Sequence, residues 1–418
     1  MAGALTAAVS AVVAAGAGGC FSSHTAADPA VNRPATSAAP APVAMAGHTY
    51  RVPEPLPAGT PGVLIAATGH GPDARLAGAR RWTVLYHSTD AHGRDVPVSG
   101  TVLLPPGAPP QDGWPVVSWA HGTTGVADAC APSQLPDVGS GAYSQELAAL
   151  VHAGYAVAAS DYPGLGTPGM HTYLVGTDEG NAVADIVTAA HRLEPGLGRV
   201  WFAVGHSQGG QAALFAAHAA HPPAAQRLGG VVAIAPASHL ESMLAGVKAS
   251  RVPGELSFAL YSLAGLAATD PTNASVSLRS LLGNAAAATA SRILAECSTN
   301  NAPLLKGLDT GKMLPLSADQ LHRIGERMGA YGDPDRAPVP VPALIIQGEA
   351  DHDVPPAWTD QVVAHLRRLG SPAVLEHTYP GAGHDQVLGQ SICDLLVFLS
   401  THGGTRLAAC TPPGTGTG

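Results

Sequence analysis

From about residue 126 onward, short apolar runs typical of strands alternate with longer helical stretches, and this rhythm constrains the fold more than any other feature of the sequence. A helical stretch over 143–152 is followed by a strand at Ala156 to Ser160, a helix near Glu179 to Arg192 and a strand at Val200 to Val204. A helix from Gln208 to about Ala220 and a strand at Val231 to Ile234 continue the pattern. Parallel strands need a crossover between them, so strand and helix in strict alternation predict a parallel sheet covered on both faces. Before this region, Val63 to Ile65, Trp82 to Tyr86, Val96 to Leu104 and Val116 to Trp119 read as opening strands, punctuated by Pro105-Pro106-Gly107 and Asp112-Gly113.

The rhythm breaks over residues 238–337, where Ala- and Leu-rich helical segments are interrupted at Pro253, Pro271, Pro303 and Pro315. That block reads as an inserted helical cap. Sheet character returns at Ala343 to Ile346, followed by a helix near Trp358 to Leu369, a strand at Ala373 to His377 and a last helix from about Gln386 to Ser400. The expected organisation is a core over 48–237 and 338–410, a cap over 238–337 and a tail over 411–418.

The N-terminal region has a different character. Ala2 to Gly19 is an Ala/Val/Gly run ending in Ala17-Gly18-Gly19-Cys20, small residues before a cysteine, which resembles an export signal with a lipoprotein-type cleavage box. No Lys or Arg precedes the run, and Ala rather than Leu stands three before Cys20. The expectation is a signal over 1–20, with Cys20 a candidate for lipidation and hence membrane anchoring. Residues 21–47, rich in Ala, Pro, Ser and Thr, then form a flexible tether. Setting Cys20 aside leaves Cys130, Cys297, Cys393 and Cys410, an even number suited to an oxidising compartment, extracellular or in the cell envelope. Three pairings are possible. The favoured one joins Cys130 to Cys297 and Cys393 to Cys410; reduced, buried thiols are the alternative.

Composition excludes several chemistries. The net charge of −9 comes without acidic or basic runs, so no nucleic-acid partner is expected. The only lysines are Lys248, Lys306 and Lys312, and none completes a phosphate-cradling G-x-x-x-x-G-K loop or an S-x-x-K nucleophile. Neither H-E-x-x-H nor paired C-x-x-C occurs, so no metal site is expected among the 19 histidines. No cofactor is expected either.

The sharpest local motif is Gly205-His206-Ser207-Gln208-Gly209. A G-x-S-x-G string is weak by itself in a chain with 50 glycines, but here it joins a buried-strand pattern, Val200 to Val204, to the start of a helix. Such a turn holds a serine hydroxyl above a sheet, and a serine nucleophile then needs a histidine base and a carboxylate to fix its tautomer. Asp351 follows a strand end in Gly348-Glu349-Ala350-Asp351-His352-Asp353-Val354-Pro355, with Asp353 and Glu349 as alternatives. His384 follows the last strand on Gly381-Ala382-Gly383, with His352 and His377 as rivals. The N–H of Gln208 and a donor from Trp119-Ala120-His121-Gly122-Thr123-Thr124-Gly125 would bind an oxyanion, with the choice between Thr123 and Thr124 open.

These motifs, with Cys130-Ala131-Pro132-Ser133 and Ser160-Asp161-Tyr162-Pro163-Gly164-Leu165-Gly166-Thr167-Pro168, resemble the secretory lipase family, lipase A-like members of the α/β-hydrolase superfamily, over roughly residues 50 to 410. The resemblance implies an α/β-hydrolase fold with a mostly parallel sheet, a triad of Ser207, Asp351 and His384, and a lid over 238–337 joined to the core by Cys130 and Cys297. It further implies a lipase cleaving acyl esters through an acyl-enzyme, with a short-chain carboxylesterase or an acyltransferase as alternatives. The H-G-T-T-G loop departs from the fungal pattern. A monomer is expected. Leu256, Phe258, Leu260, Leu263 and Leu266 are candidates for an acyl channel, with packing inside the lid as the alternative.

Overall fold

The computed structural model describes residues 50–250, 252–269, 277–407 and 410. The expected signal at 1–20, Cys20, the tether over 21–47 and the tail over 411–418 lie outside the described residues.

Among the described residues nine strands form one sheet. In chain order they are β1 (Leu64–Asp73), β2 (Ala79–Thr89), β3 (Asp95–Leu104), β4 (Trp114–Ala120), β5 (Ala156–Ser160), β6 (Leu197–His206), β7 (Arg227–Ile234), β8 (Ala343–Gly348) and β9 (Val374–Tyr379). Their order across the sheet is β1-β2-β3-β5-β4-β6-β7-β8-β9. The first three make an antiparallel meander, and β3 also pairs antiparallel with β5. From β5 to β9 every pairing is parallel. Connection length explains the division: β1 to β3 are joined by turns too short to cross over, whereas the later strands are joined through helices.

Those helices are α1 (Gly141–His152), α2 (Gly176–Leu193), α3 (Gln208–Ala216), the helices inserted between β7 and β8, α10 (Pro356–Arg368) and α11 (Gln386–Thr401). Successive residues of a strand point to opposite faces, and here each face has its own core. Val116, Trp201 and Ile345 pack with Val183 and Val187 of α2, Ala212 of α3 and Val362 of α10. Their neighbours Val117, Phe202 and Ile346 pack with Leu147 of α1 and Leu395 of α11 on the other face. Burial on both faces accounts for the unbroken apolar runs by which these strands are recognised in the sequence. Each fully buried large side chain contributes about 1.5–3 kcal/mol of transfer free energy.

Most of the strands run longer than expected, β2, β6 and β7 by four or more residues each, and two differences in extent have a visible local setting. β1 runs on to Asp73 through the Gly69–Gly71 irregularity, because Trp82 lies across Gly69, where a Cβ would come 3.2 Å from its ring. α3 stops at Ala216 instead of near Ala220: the N–H groups of Ala217, His218 and Ala219 tighten to i−3 carbonyls, and the Ala220 N–H turns to Asn181 Oδ1 at 2.9 Å.

Between β7 and β8 lies the helical insert, α4 (Leu240–Ser250), α5 (Leu256–Thr269), α6 (Leu278–Leu294), α7 (Ala302–Leu305), α8 (Thr310–Met313) and α9 (Ala318–Gly332). It has an apolar core of its own, including Leu244, Leu260, Leu263, Ile293, Leu314 and Met328, which meets Val126, Tyr173 and Leu174 of the surrounding loops. A Cys130–Cys297 disulfide fastens the loop after β4 to the segment that follows α6, and Cys393–Cys410 ties the C-terminal segment to α11.

Candidate active site

Between β6 and α3 the backbone turns within one residue. Ser207 has φ 59° and ψ −120°, a conformation costing a non-glycine residue about 1–3 kcal/mol. Three backbone bonds hold it there: its N–H donates to Ile234 O at 2.8 Å, and its carbonyl accepts from Gln211 N and Ala237 N, each at 3.1 Å. The flanking glycines are required by proximity. A Cβ on Gly205 would lie 2.1 Å from Gly209 O, and one on Gly209 would lie 1.9 Å from Ala120 O. Strand and helix can meet this closely only without side chains at those positions.

Asp351 and His384 occupy the loops after β8 and β9. His384 Nδ1–H donates to Asp351 Oδ2 at 2.7 Å. Asp351 is buried, and its remaining acceptor capacity is filled by the N–H groups of Asp353 and Val354, both at 2.9 Å to Oδ1, and by Gln347 Nε2 at 3.0 Å to Oδ2. Burial favours the neutral acid, but the His384 hydrogen bond and charge, with the Val354 and Gln347 bonds, outweigh it and hold the carboxyl below its usual range. For His384, burial opposes protonation, yet Asp351 and the charges of Asp353 and Asp385 raise it above its ordinary value. The two shifts agree in sign, as an ion pair requires.

Of the alternatives, Asp353 and His352 line the same cleft. Glu349 instead accepts from the Thr378 hydroxyl, and His377 pairs with Asp394 at the surface. Asp351, Asp353 and His384 bring ligand atoms within 4.8 Å of one another, the one such group found among the described residues. Because four donors already saturate Asp351, the set fits an imidazole–carboxylate pair better than a cation.

A further pair is legible only in three dimensions. His206, inside the G-x-S-x-G string, is fully buried, and its Nε2–H donates to the His384 carbonyl at 3.0 Å. Tyr143 donates to His206 Nδ1 at 3.1 Å and accepts from Gly122 N–H at 3.0 Å. Burial first, then the repulsion of His384, pushes His206 down to about 3, so it stays a neutral imidazole. Gly122, Tyr143, His206 and His384 thus form one hydrogen-bonded chain from the loop after β4 to the loop after β9.

At the candidate oxyanion site, Gln208 begins α3, so its N–H has no helical acceptor. Thr123 lines the cleft with its hydroxyl 2.6 Å from Tyr173 OH. The buried Thr124 has an unpartnered Oγ1, and its carbonyl accepts Ser298 N–H from the insert at 2.9 Å. The structure therefore places Thr123 with Ser207 and His384, and Thr124 beneath the insert.

Ser207, His384 and Thr123 open into a cavity of about 270 Å³, walled by Leu240, Met243 and Val247 of α4, Phe258 of α5, and Val354 and Trp358. Of the five α5 candidates only Phe258 reaches it; Leu256, Leu260, Leu263 and Leu266 are buried in the insert core. A hydroxyl and an imidazole oriented by a carboxylate at an apolar cavity, with the first N–H of α3 next to the hydroxyl, can together attack a carbonyl and hold the resulting anion.

Among solved structures, the chain is similar to lipase A of Candida antarctica in its closed state, at 18% identity over 84% of each chain with a TM-score of 0.68. It is also similar to the ligand-bound rice cell wall degrading esterase LipA of Xanthomonas oryzae, at 19% identity over 82% of this chain and 98% of that one, TM-score 0.63. At such identities the likeness speaks for a shared fold, the α/β-hydrolase fold. No curated protein sequence matches. The model of one sequence family does match, over residues 139–389, which include β6, α3, the insert and the loops of Asp351 and His384. The chain belongs to that family of hydrolases, described as serine aminopeptidase S33.

Proposed function

We propose that this protein is an exported serine carboxylic-ester hydrolase, a lipase or esterase acting on acyl esters through an acyl-enzyme on Ser207. The observation that carries the reading is the convergence of Ser207 with the Asp351-bonded His384 at the mouth of a largely apolar cavity. In this mechanism His384 takes the Ser207 proton as the hydroxyl attacks the ester carbonyl. The tetrahedral oxyanion is received by the Gln208 N–H and by Thr123, and His384 then passes the proton to the departing alcohol. Water, activated by the same imidazole, releases the acid and restores Ser207.

The apolar wall formed by Leu240, Met243, Val247 and Phe258 suits an acyl chain, which favours an ester of a fatty acid over a peptide. The names of the lipase and esterase that share its fold support this choice. The disulfides support an oxidising compartment, and no helix among the described residues is long and apolar enough to cross a membrane.

The test is hydrolysis of p-nitrophenyl esters from acetate to palmitate, beside aminoacyl p-nitroanilides, by the wild type and Ser207→Ala. Ester cleavage lost in the variant, with little anilide cleavage, is the expected result. Preference for anilides would assign an aminopeptidase instead, and faster transfer to added alcohol than to water would assign an acyltransferase.

A further inference from the structure

Next to Ser207 the Gln208 side chain is buried and uses both amide protons: Nε2 donates to Glu179 Oε1 at 2.7 Å and to His171 Nε2 at 2.9 Å. Glu179, in the first turn of α2, is fully buried, and its Oε1 also accepts Leu174 N–H at 2.9 Å. Two oxygens remain, Glu179 Oε2 and Gln208 Oε1. Both are buried acceptors and neither has a donor, although their side chains are already bonded through their other atoms. Burying an ionised carboxylate with one donorless oxygen is costly, and so is burying a donorless amide carbonyl. Because the two side chains are already joined through Gln208 Nε2 and Glu179 Oε1, one proton on the carboxyl would serve both oxygens.

We propose that Glu179 is a carboxylic acid whose Oε2–H is donated to Gln208 Oε1, closing a two-bond acid–amide pair that fixes Gln208 and, through it, the N–H that follows Ser207. Glu179 is a positioning residue in this account. Its consequence for reaction rate rests on the assignment of Ser207 and Gln208 above; its protonation does not.

The surroundings agree. His171 donates Nδ1–H to Pro163 O at 2.9 Å, so its Nε2 presents a lone pair to Glu179 Oε1 at 3.8 Å. Burial pushes that imidazole down to about 4, leaving it neutral. Tyr162 and Tyr173 are buried phenols held well above their usual range, and Asp178 is an acid on the same helix. Among the described residues no lysine or arginine acts on Glu179. Burial pushes it up to about 8, against the lowering bonds from Gln208 and Leu174. The proton is therefore present at neutral pH and lost on the alkaline side. The unfolded carboxyl ionises near 4.5, so this group's contribution to stability falls as pH rises from there to about 8, and then levels off.

The experiment compares wild type, Glu179→Gln and Glu179→Ala. In infrared spectra at about pH 6 and about pH 10, the wild-type-minus-Glu179→Gln difference should hold a carboxylic-acid carbonyl band at the lower pH only. No turnover is needed, so this readout stands apart from the ester-hydrolase reading. The rate of Ser207 labelling by an aryl phosphonate should fall above about pH 8 in the wild type and stay level in Glu179→Gln, whose amide supplies the same donor. At neutral pH, Glu179→Gln should label within about threefold of wild type and Glu179→Ala about tenfold more slowly. Absence of the acid band, or an alkaline fall that persists in Glu179→Gln, would overturn the proposal, and both are read without the alanine variant.

Discussion

The ring of His206 stands 4.6 Å from that of His384 and gives its Nε2 proton to the His384 carbonyl at 3.0 Å. The residue before the proposed nucleophile thus anchors the loop that carries the proposed base, and Tyr143 extends the same bond chain to Gly122. Replacing His206 by Phe keeps the bulk and removes both bonds. Activity should fall about tenfold through kcat, with KM little changed. Tyr143→Phe strands the Gly122 N–H and should destabilise the fold by about 1–3 kcal/mol, read by denaturant unfolding.

The coupling of His384 to Asp351 sets the acid side of the pH profile. His384 must be neutral to accept a proton and is raised above its ordinary value of 6.5, so kcat/KM should climb through a pH above that value. Asp351→Asn should move this limb downward and lower kcat by up to about 10⁴-fold. A limb that stays in place would show that Asp351 does not act on His384.

The elbow tolerates no side chain at its glycines. Gly209→Ala would drive a Cβ to 1.9 Å from a backbone carbonyl of β4, with no flexible atom to give way. Loss of several kcal/mol and of activity is expected, on the order of 3 kcal/mol or more. Gly246, by contrast, borders the cavity, and a Cβ there meets nothing within 4 Å. Gly246→Phe should leave the fold intact and shift ester preference toward shorter acyl chains, measured over the p-nitrophenyl series.

The two disulfides should differ in weight. Cys130–Cys297 closes a loop with a sequence separation of 167 and Cys393–Cys410 one of 17. Chain entropy assigns them about 5 and about 3 kcal/mol respectively. Paired alanine substitutions at Cys130 and Cys297 should therefore lower the unfolding midpoint more than those at Cys393 and Cys410.

How much of this was legible in the sequence depends on how local its cause is. Ser207 sits between a strand and a helix written contiguously in the chain, the loop of Asp351 follows the apolar run of β8, and that of His384 follows a Gly-rich turn after the last strand, so the elements announce these positions. Thr123 and Thr124 could not be separated, because Tyr173 and Ser298, distant in sequence, decide which of them faces the cleft. Glu179 reads as an ordinary acid favoured by the positive end of a helix. Its burial against Gln208 and Leu174 is purely tertiary. His206 was visible as a letter of the motif, but its partner is a backbone carbonyl 178 residues away. The antiparallel meander at the start of the chain carried no helical punctuation, and the Gly69–Gly71 stretch of β1 lacks the β-branched residues that mark a strand.

The central claim is a covalent acyl group on Ser207. Wild-type protein mixed with a p-nitrophenyl ester and quenched in acid should gain the mass of one acyl group, located by peptide mapping on the segment containing Ser207. The Ser207→Ala protein should gain none. An acyl adduct on another residue, or ester turnover undiminished in Ser207→Ala, would contradict the account.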